Sequence, residues 1–545
     1  DWQRQLHERG SFTSVEEQRR QAGVRKAGPP PDDKDPKVRI SEAAASMAAD
    51  LGELIWDGEH AYLVARESGH VRTLAVRSKA FRLWLHSKLK AHGDRPPSNP
   101  QQWSAAMESL EARAAEGGTG LTPSIRVASL DGAIYIDLGD DSWRCVKVTT
   151  EGWSVIPHPA DGPYFYRPPR LAALPEPKSN GDLADLWTFF NVRADDRPLL
   201  LAYLVQALRP RGPYPILSAH GPAGATKTTF ISAIKALTDP TLSSPESPAL
   251  TSPRKPPREE RDVIAAARNN RVVAFDNVSY LDQWLSDALC RLATGAELGG
   301  RANYTDFDEA VFVASRPVML NGIPDVVRQS DLADRCVKVE CRKPPKRIPE
   351  ATYWHRFKRE WPILLGVVLD LYSAVLRHWT EAAGRVPDDA DVRMRDFARI
   401  GEALGLELGW AEGEFTHLYA DNLGNAAAEI AHSDPITKPL IHLLRERGGS
   451  WEGTTQELLT KLGGALNESD PTRSLDIKND REWPRSPHKL AARLARLSTA
   501  LEAVGVVVSE TYRSNGRSVR RIDMCTGDVH STDRQNGPNE AIECT

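Results

Sequence analysis

The sequence predicts a multidomain α/β protein, and three observations support this prediction. The chain has 545 residues, which is too long for a single domain. In residues 177–350, short apolar runs of strand length alternate with helical segments, as a parallel sheet requires. Before this region short alternating strands are mixed with helices, and after it apolar residues recur mainly at helical spacing. We therefore expect a central α/β core between an N-terminal α+β domain and C-terminal domains that are mainly helical.

The most informative stretch is residues 215–229, PILSAHGPAGATKTT, an apolar strand that leads into a turn with two glycines and Lys-Thr. Gly221 and Gly224 allow backbone N–H groups to face phosphate oxygens. Lys227 can reach the β- and γ-phosphates, and the Thr228 hydroxyl can bind Mg²⁺ at the start of the following helix. The pattern predicts a phosphate-binding loop (P-loop) for ATP and Mg²⁺. The alternative is a chance glycine turn between a strand and a helix.

The predicted ATP contacts form one continuous run. The usual pattern has glycine directly before the lysine, and this chain has Thr226 there, so the match is one glycine short. We predict that nucleotide contacts come from Gly221, Pro222, Ala223, Gly224, Ala225, Thr226, Lys227, Thr228 and Thr229.

Three further signals follow in the order expected of a P-loop ATPase. Residues 271–277 are predicted to form an apolar strand with Asp276 near its end. The carboxylate of Asp276 is the second predicted ligand for Mg²⁺, after the Thr228 hydroxyl. A later strand ends at Asn321, where ATPases of the AAA+ kind have an amide that orients the attacking water. Arg335 precedes one more strand and is the predicted arginine finger, which stabilises the transferring phosphoryl group, commonly from a neighbouring subunit. The predicted catalytic residues are Lys227, Asp276, Asn321 and Arg335, and the predicted Mg²⁺ ligands are Thr228 and Asp276.

The charge and composition of the chain limit which partners and which cellular location are expected for it. The net charge is −4, so any contact with nucleic acid must come from locally basic surface. The six cysteines show no C-x-x-C pair, which argues against a zinc site and favours ordinary thiols in a reducing cytosol. No apolar run approaches the length of a membrane span, so we expect no membrane partner. The N-terminus, DWQRQLHERG, does not resemble a signal peptide, and it lacks an initiating Met, which favours a start inside a longer protein.

Six regions are predicted along the chain. The lead and the tail are charged and contain few apolar residues, which is typical of disorder. Aromatic residues in the N-terminal domain are more typical of a core than of a platform for nucleotide bases. Residues 243–262, SSPESPALTSPRKPPREERD, predict a surface loop in which Arg254 and Arg258 are either solvated or contact phosphates or a neighbouring subunit. The predicted regions are 1–39, a mobile lead or linker; 40–176, the α+β domain; 177–350, the ATPase core; 351–433, a helical collar; 434–522, a winged helix; and 523–545, a disordered tail.

The predicted winged helix is basic. Residues 473–521 contain 11 Lys and Arg against 5 Asp and Glu, in a chain that is acidic overall. One group of cations lies at helical spacing on the predicted recognition helix, and a second flanks the wing turn RSNGR. We predict DNA contacts from Lys489, Arg493, Arg496, Arg513 and Arg517. A solvated basic face and a winged helix that contacts protein are the alternatives.

A β-hairpin is expected directly before the strand that ends at Asn321. In ring helicases such a hairpin points into the central channel and holds the nucleic-acid backbone. Here its tip, TDFDE, is acidic and unsuited to binding phosphates. Arg301 and Tyr304, at its base, are the predicted contacts for charge pairing and base stacking, and they could equally serve a subunit interface.

The stretches GPAGATKTT, VVAFDNVS, WLSDALCRLATG, YTDFDE, RPVMLNGI, DLADR and RMRDFARIGEALGLELGW together resemble the helicase-like ATPases of phages and integrated mobile elements. These belong with the superfamily 3 helicases of the poxvirus and phage primase-helicase type, and the resemblance runs from about residue 40 to residue 522. It implies an AAA+ core in a hexameric ring of identical chains that hydrolyses ATP with Mg²⁺ and moves along single-stranded or forked DNA during replication of the element. It also implies a location in the bacterial cytosol, near the nucleoid, and a primase or polymerase as a possible partner.

Two departures from that family leave two functions open. Superfamily 3 cores usually have two adjacent acids at the second motif, whereas Asp276 is followed here by Asn277, and an amide cannot act as a general base. Glu297 is a candidate for that role. The acidic hairpin tip is the second departure. We therefore consider an ATP-driven DNA helicase or translocase first, and an ATP-gated initiator or loader that assembles on DNA without unwinding it as the alternative. An ATPase that remodels protein is a more distant third.

Overall fold

The structure is a computed structural model that describes residues 36–67, 70–244, 247, 249–301, 309–322, 327, 329–469, 483–514 and 517–525. Within these ranges it has several separate sheets, four-stranded and smaller, with helices between and around them. The prediction of a multidomain mixed α/β protein is therefore confirmed.

The first unit packs three helices on a three-stranded antiparallel sheet of order β1-β2-β3. Ser78 starts α2 by accepting a hydrogen bond from the N–H of Phe81 at 3.0 Å, and Gly93, at φ +91°, ends it in the left-handed conformation. The first helix begins at Pro36, so residues 36–39, which the sequence places in the lead, are helical. The elements are α1 Pro36–Leu51, β1 Gly52–Trp56, β2 Ala61–Glu67, β3 His70–Ala75, α2 Lys79–His92 and α3 Pro100–Gly117.

A second antiparallel sheet, of order β4-β5-β6-β7, follows and packs on the long helix α10 (Glu350–Arg385). The indole N–H of Trp153 donates to Asp370 Oδ1 at 2.8 Å, and the Ser373 hydroxyl donates to the carbonyl of Thr149 at 2.7 Å. These contacts fix the sheet against the central part of the protein. Its strands are β4 Val127–Leu130, β5 Ala133–Asp137, β6 Arg144–Thr149 and β7 Gly152–Pro157.

The central sheet is parallel and has the order β13-β8-β12-β9. Its strands are almost continuously buried, because helices cover both faces, and this explains their uninterrupted apolar sequences. Consecutive strands are joined through helices, so all four carboxyl ends lie at one edge. The elements are α4 Leu183–Trp187, α5 Arg197–Ala207, β8 Ile216–His220, α6 Lys227–Thr238, α7 Glu260–Asn269, β9 Val273–Val278, α8 Gln283–Thr294, β12 Val318–Gly322, α9 Ser330–Ala333 and β13 Cys336–Glu340.

Two segments border this sheet. The predicted hairpin before β12 is present, formed by antiparallel β10 (Glu297–Arg301) and β11 (Glu309–Val313), and its tip lies outside the described residues. Part of the predicted surface loop is instead extended along β9. The N–H of Arg254 donates to the carbonyl of Ala274 at 2.8 Å, and the N–H of Asp276 donates to the carbonyl of Arg254 at 2.7 Å. The many prolines of that loop favour this extended backbone.

Helices α10, α11 (Arg395–Leu408) and α12 (Glu414–Ser433) pack beside the central sheet, as the helical spacing predicts. The buried Glu402 accepts hydrogen bonds from the N–H and hydroxyl of Thr416, both at 2.9 Å, and so joins α11 to α12. Among the described helices, α10 is long and apolar enough to cross a membrane. However, 72% of its apolar window is buried inside the protein, which is typical of a core helix.

In its described residues, the C-terminal unit combines three helices with a small antiparallel sheet of order β14-β17-β15, and β16 pairs with β17. The sequence analysis missed β14. Residues 506–514 form two short strands, interrupted where the Ser509 hydroxyl bonds the backbone of Arg521. The last strand reaches Met524, beyond the predicted start of the tail. The elements are α13 Thr437–Glu446, β14 Ser450–Gly453, α14 Thr455–Ser469, α15 Pro487–Glu502, β15 Val506–Val508, β16 Tyr512–Ser514 and β17 Arg517–Met524.

Candidate functional site

The glycine-bearing loop, residues 221–226, connects β8 to α6 at the carboxyl edge of the central sheet. Gly221 has φ +137° and Gly224 has φ +81°, backbone conformations that L-residues with a side chain rarely adopt. A Cβ on Gly221 would lie 2.3 Å from the carbonyl oxygen of Cys341, so this position also lacks space for a side chain. Most of the loop is exposed, whereas Ala225 is buried beneath it. The two glycines are therefore required by the backbone of the loop.

Thr226, which replaces the usual glycine, has φ +55° and is left-handed. A β-branched residue there costs on the order of 1–3 kcal/mol of backbone strain. Thr226 is also the N-cap of α6, and its side chain makes no capping hydrogen bond. The first N–H groups of a helix have no partner within the helix, so those of α6 remain able to bind an anion. The strained threonine therefore still supports a backbone that suits a phosphate.

The side chain of Lys227 folds back over this loop. Its Nζ donates to the carbonyl oxygens of Gly221 at 2.9 Å and Pro222 at 3.3 Å. The ammonium group therefore lies at the mouth of the loop, next to the first turn of α6. Together they concentrate positive charge and N–H donors in one small region.

Three of the predicted site residues meet beside the loop. The hydroxyl of Thr228 donates to Asp276 Oδ1 at 2.9 Å, and Asn321 Nδ2 lies 3.5 Å from the same hydroxyl oxygen. They come from α6, β9 and β12, and they meet because β12 lies between β8 and β9 in the parallel sheet. Thr228 is exposed, Asp276 is partly exposed and Asn321 is buried. The structure thus brings Lys227, Thr228, Asp276 and Asn321 together.

Asn277 determines how Asn321 is oriented. Its backbone N–H donates to Asn321 Oδ1 at 2.6 Å, so the amide oxygen of Asn321 is occupied and its NH₂ group faces Thr228. Asn277 has φ +55°, a conformation that Asn and Asp adopt more readily than most residues, and its own side chain is exposed. Asn321 is therefore a donor toward the Thr228–Asp276 pair.

Arg335 lies apart from this cluster as far as its described contacts go. Its side chain is 9% exposed and forms an ion pair with Asp331 of the same chain, and it also donates to the backbone carbonyl of Asp331 at 2.5 Å. Arg393, whose side chain is 48% exposed, lies 3.3 Å from the same carboxylate. The Asp331 carboxylate is thus shared by a buried and an exposed guanidinium, and the two cations hold its pKa below the ordinary value although burial opposes them.

The hairpin residues are only partly visible. Tyr304 and residues 305–308 of the acidic tip lie outside the described residues, and Arg301 pairs with Glu309 in the hairpin backbone. Glu297 is exposed at the first position of β10, opposite Val313. Their proposed contacts stay predictions.

The basic residues of the C-terminal unit fall into two groups. Lys489, Arg496, Arg513 and Arg517 are exposed. Arg493 instead forms an ion pair with Asp434, with its NH2 atom 2.6 Å from Oδ2, and so holds α15 to the start of the unit. Helix α15 also packs against the core, since the Ser330 hydroxyl donates to the carbonyl of Arg496 at 2.7 Å. The spacing of the cations could not reveal that one of them is used inside the protein.

Sequence reasoning also missed a basic stretch beside the loop. Residues 342–347, RKPPKR, contain four cations and join β13 to α10. Arg347 lies against Gly224, with its NH2 atom 2.8 Å from the position a Cβ on that glycine would occupy. The run of charge was visible in the sequence, but its position against the loop depends on the fold.

Two family models match this chain. Residues 182–412 match the model described as the actinomycete integrative conjugative element replication protein, AICE_RepA, and residues 436–532 match the AICE RepA C-terminal domain. These matches indicate a replication protein of an actinomycete integrative conjugative element. The first match contains the loop, the Thr228–Asp276–Asn321 cluster and Arg335, and the second contains the exposed basic residues of the C-terminal unit. The predicted link to a mobile element and its replication is confirmed at this level.

Solved structures and curated proteins were also compared with the chain. Two apo structures of the NrS-1 C-terminal region align over 90% of this chain and 100% of that chain, with TM-scores of 0.36 and 0.34 at 12% and 11% sequence identity. A likeness of this size supports no conclusion about fold or activity. No curated protein matches the chain.

Proposed function

We propose that this replication protein is an ATPase with a P-loop core of the AAA+ kind that drives movement along DNA as a helicase or translocase. The observation that carries the proposal is the cluster of Lys227, Thr228, Asp276 and Asn321 at the carboxyl edge of the parallel sheet, where α/β proteins bind their ligands. A chance glycine turn would not require these side chains to converge. The family matches add a role in replication, in which such a motor acts on DNA.

The donor set at this edge fits a magnesium ion bound with nucleotide. Thr228 and Asp276 offer two oxygen atoms 2.9 Å apart, both accessible from outside. Mg²⁺ prefers oxygen ligands and is usually held by one or two protein groups together with water and phosphate oxygens. Within the described ranges, no group of three or more His, Cys, Asp or Glu forms a separate metal cage. Thr228 and Asp276 would hold the ion, which neutralises negative charge on the phosphates.

Each of the other site residues then has a defined task. The loop amides and the first turn of α6 bind phosphate oxygens, and Lys227 exchanges its two carbonyl partners for the β- and γ-phosphates. Asn321 can donate through its NH₂ group to a phosphate oxygen or to the oxygen of the attacking water, because Asn277 occupies its carbonyl oxygen. In this arrangement catalysis depends on positioning and on electrostatic stabilisation of the transferring group.

Arg335 remains the proposed arginine finger, in a hexameric ring of identical subunits. In the single chain Asp331 neutralises it, so this role requires the guanidinium to leave Asp331 for the phosphates of a neighbouring subunit. The exposed Arg393 lies on the same carboxylate and can compensate its charge when Arg335 leaves. A primase or polymerase remains a proposed partner of the ring.

The C-terminal unit supplies the proposed grip on DNA as a winged helix. Its order of helices, with a hairpin of β16 and β17 after α15, is the order expected of that fold. Arg513 and Arg517 are exposed on either side of the hairpin turn, where a wing meets the DNA backbone. Lys489 and Arg496 are exposed on α15, whereas Arg493 would contribute only by giving up Asp434.

Charge reversal at the wing tests this DNA contact. We expect the double variant Arg513→Glu/Arg517→Glu to weaken DNA binding by about tenfold or more and to reduce the slope of log K against log salt by roughly two, one per lost phosphate contact. Fluorescence anisotropy with labelled duplex and forked DNA over a range of salt measures both. The matched control, Lys358→Glu/Arg359→Glu, makes the same change in net charge on exposed positions of α10. Equal affinity of the two double variants would remove the wing from the DNA interface.

An ATP-gated initiator or loader is the second candidate, and Asn277 favours it. The side chain is exposed beside Asp276 and cannot take a proton from water, so hydrolysis is expected to be slow. Slow hydrolysis suits a protein that assembles on DNA in its ATP state and recruits other replication proteins.

Asn277→Asp is expected to raise the rate of ATP hydrolysis by about tenfold or more, because it supplies a general base beside Asp276. Asp tolerates the left-handed backbone as Asn does, so the fold should be unaffected. Single-turnover hydrolysis of radiolabelled ATP measures the chemical step. Asn277→Gly is the control, since glycine suits φ +55° but adds no carboxylate. No acceleration in the Asp variant would mean that another group activates the water.

The proposed function is tested by measuring ATP hydrolysis with no DNA, with single-stranded DNA and with forked DNA, followed by strand displacement on the fork. A motor should show hydrolysis stimulated by DNA and separation of the strands. Nucleotide binding that DNA stimulates, without separation of the strands on the fork, would favour the initiator or loader. ATP hydrolysis with no salt-dependent affinity for DNA would overturn both and favour remodelling of protein.

A further inference from the structure

The basic connector, residues 342–349, runs from the edge strand β13 to the start of α10. It reads RKPPKRIP and carries four cations, all of them exposed. Three of its eight residues are proline, which restricts the backbone and reduces the entropy lost when the segment is held in one position. Its charge and its stiffness both need an explanation, because neither is required to join a strand to a helix.

The connector is anchored beside the glycine-bearing loop through its first residue, Arg342, and through Cys341, which directly precedes it. The N–H of Cys341 donates to the carbonyl of His220, the last residue of β8, at 2.8 Å. Asn191 holds Arg342 twice, since its backbone carbonyl accepts from the N–H of Arg342 at 2.8 Å and its Nδ2 donates to the carbonyl of Arg342 at 2.9 Å. The carbonyl oxygen of Cys341 also lies within 2.3 Å of the position of a Cβ on Gly221. The connector therefore starts in direct contact with the loop.

Further along, the side chain of Arg347 returns to the same loop. Its NH2 atom is 2.8 Å and its Cζ atom is 3.7 Å from the Cβ position of Gly224. No carboxylate among the residues that the structure describes forms an ion pair with Arg347 within 4.0 Å. The Arg347 guanidinium thus lies on the loop without a carboxylate partner among the described residues. The other cation of the loop, Lys227, has hydrogen bonds to backbone carbonyls.

We propose that Arg347 is a second phosphate-binding cation of the nucleotide site and that it contacts the β-phosphate. This inference rests on the proposed ATP-binding function. The backbone of a phosphate-binding loop encloses the inner phosphates, while its lysine reaches outward to the terminal one. A guanidinium on Gly224, in the middle of the loop, is therefore positioned for the phosphate shared by ATP and ADP. Its planar donors can bind two phosphate oxygens at once.

The presence of Thr226 in place of glycine before Lys227 provides a reason for a second cation, Arg347, at the loop. Thr226 keeps the left-handed backbone that the loop requires, but a β-branched residue holds that conformation at a cost in strain. An arginine supplied from the connector, which follows the neighbouring strand β13, compensates by adding charge and hydrogen-bond donors. It also explains why the connector is both basic and proline-rich, since a flexible segment would hold the guanidinium over the loop for less of the time.

Equilibrium binding of ATP, ADP and AMP tests this role on the full chain, by calorimetry with Arg347→Ala, Arg347→Lys, Lys343→Ala and Lys227→Ala. We expect Arg347→Ala to weaken ATP and ADP by a similar factor of about tenfold, as for loss of a hydrogen bond to a charged group, and to leave AMP unchanged. Arg347→Lys should fall between wild type and Arg347→Ala, because it keeps the charge without the planar fork. Lys343→Ala, an exposed cation of the same connector, should bind all three as wild type does.

The outcomes separate this inference from the function on which it rests. If wild type binds ATP, Lys227→Ala does not, and Arg347→Ala binds ATP and ADP as wild type does, the proposed role of Arg347 is wrong while the nucleotide site stands. A loss for ATP alone would overturn the assignment to the β-phosphate. An equal loss in Lys343→Ala would mean general attraction by the connector and not a specific contact. If wild type binds none of the three nucleotides, the proposed function itself fails.

Discussion

Lys227→Ala should reduce ATP hydrolysis by about 10²–10³-fold, the usual effect of removing one group that stabilises charge in the transition state. Its ammonium lies over the glycine-bearing loop, next to the hydroxyl–carboxylate pair of Thr228 and Asp276. Alanine removes this charge, so no ammonium group can exchange the carbonyls of Gly221 and Pro222 for the β- and γ-phosphates. Steady-state release of phosphate, with and without forked DNA, measures the effect.

The control for this variant is Lys358→Ala, an exposed lysine on α10 outside the site. It should hydrolyse ATP as wild type does, and both variants should unfold at the wild-type temperature because neither side chain is part of a core. Hydrolysis by Lys227→Ala within a few-fold of wild type would contradict the assignment of the loop as the nucleotide site. Loss of hydrolysis with unchanged DNA binding would show that the two activities use separate surfaces.

Much of this site was predictable from the sequence, and the reason is geometrical. Asp276 and Asn321 each end an apolar run of strand length, and the carboxyl ends of parallel strands lie at one edge. Lys227 and Thr228 follow a third parallel strand, β8, after the glycine-bearing loop. Their meeting therefore depends only on the strands being parallel and adjacent, which the alternation of strands and helices already favours.

Residues whose environment depends on distant contacts could not be assigned in the same way. Arg493 and Arg496 are three residues apart and chemically identical, but only Arg493 faces Asp434, which is 59 residues away. Arg335 was chosen for its position before a strand, and its pairing with Asp331 depends on how α9 packs. Strand β14 is only four residues long and becomes a strand by pairing with β17 near the end of the chain. Local patterns contain no information on these partners.

The second large effect is expected on stability, and it comes from a buried ionic network around Asp239, behind the candidate site. Asp239, at the end of α6, accepts hydrogen bonds from the N–H groups of Arg271 at 2.8 Å and Val272 at 3.1 Å, directly before β9. Lys235 lies 3.4 Å from Oδ2, and Arg126, the residue directly before β4 of the second antiparallel sheet, lies 3.4 Å from Oδ1. All of these side chains are almost fully buried. One carboxylate therefore connects the helix that follows the loop, the strand that carries Asp276 and the neighbouring sheet.

Asp239→Ala should lower the free energy of unfolding by about 3–5 kcal/mol, because it leaves two buried cations without their counter-ion and two amides without an acceptor. Urea unfolding followed by tryptophan fluorescence measures the loss. The control is Asp195→Ala, which removes a carboxylate that is 71% exposed and 3.7 Å from Arg193, and it should cost less than about 1 kcal/mol. A similar small cost for Asp239→Ala would mean that the buried network does not hold these elements together.

The difference in free energy of unfolding between wild type and Asp239→Ala should depend on pH. This dependence tests whether the ionised carboxylate of Asp239 is responsible for the stabilisation. Burial alone would raise the pKa of Asp239, but Lys235, Arg126 and the two backbone amides outweigh it, so the pKa lies below the ordinary value. A carboxyl group whose pKa is lowered by folding stabilises the protein above its unfolded pKa, near 4, and loses that contribution as the pH falls through the folded value. The difference between wild type and Asp239→Ala should therefore be full at neutral pH and shrink below about pH 4. A difference that stays constant into acid would assign the loss to packing, because removal of side-chain volume does not depend on protonation.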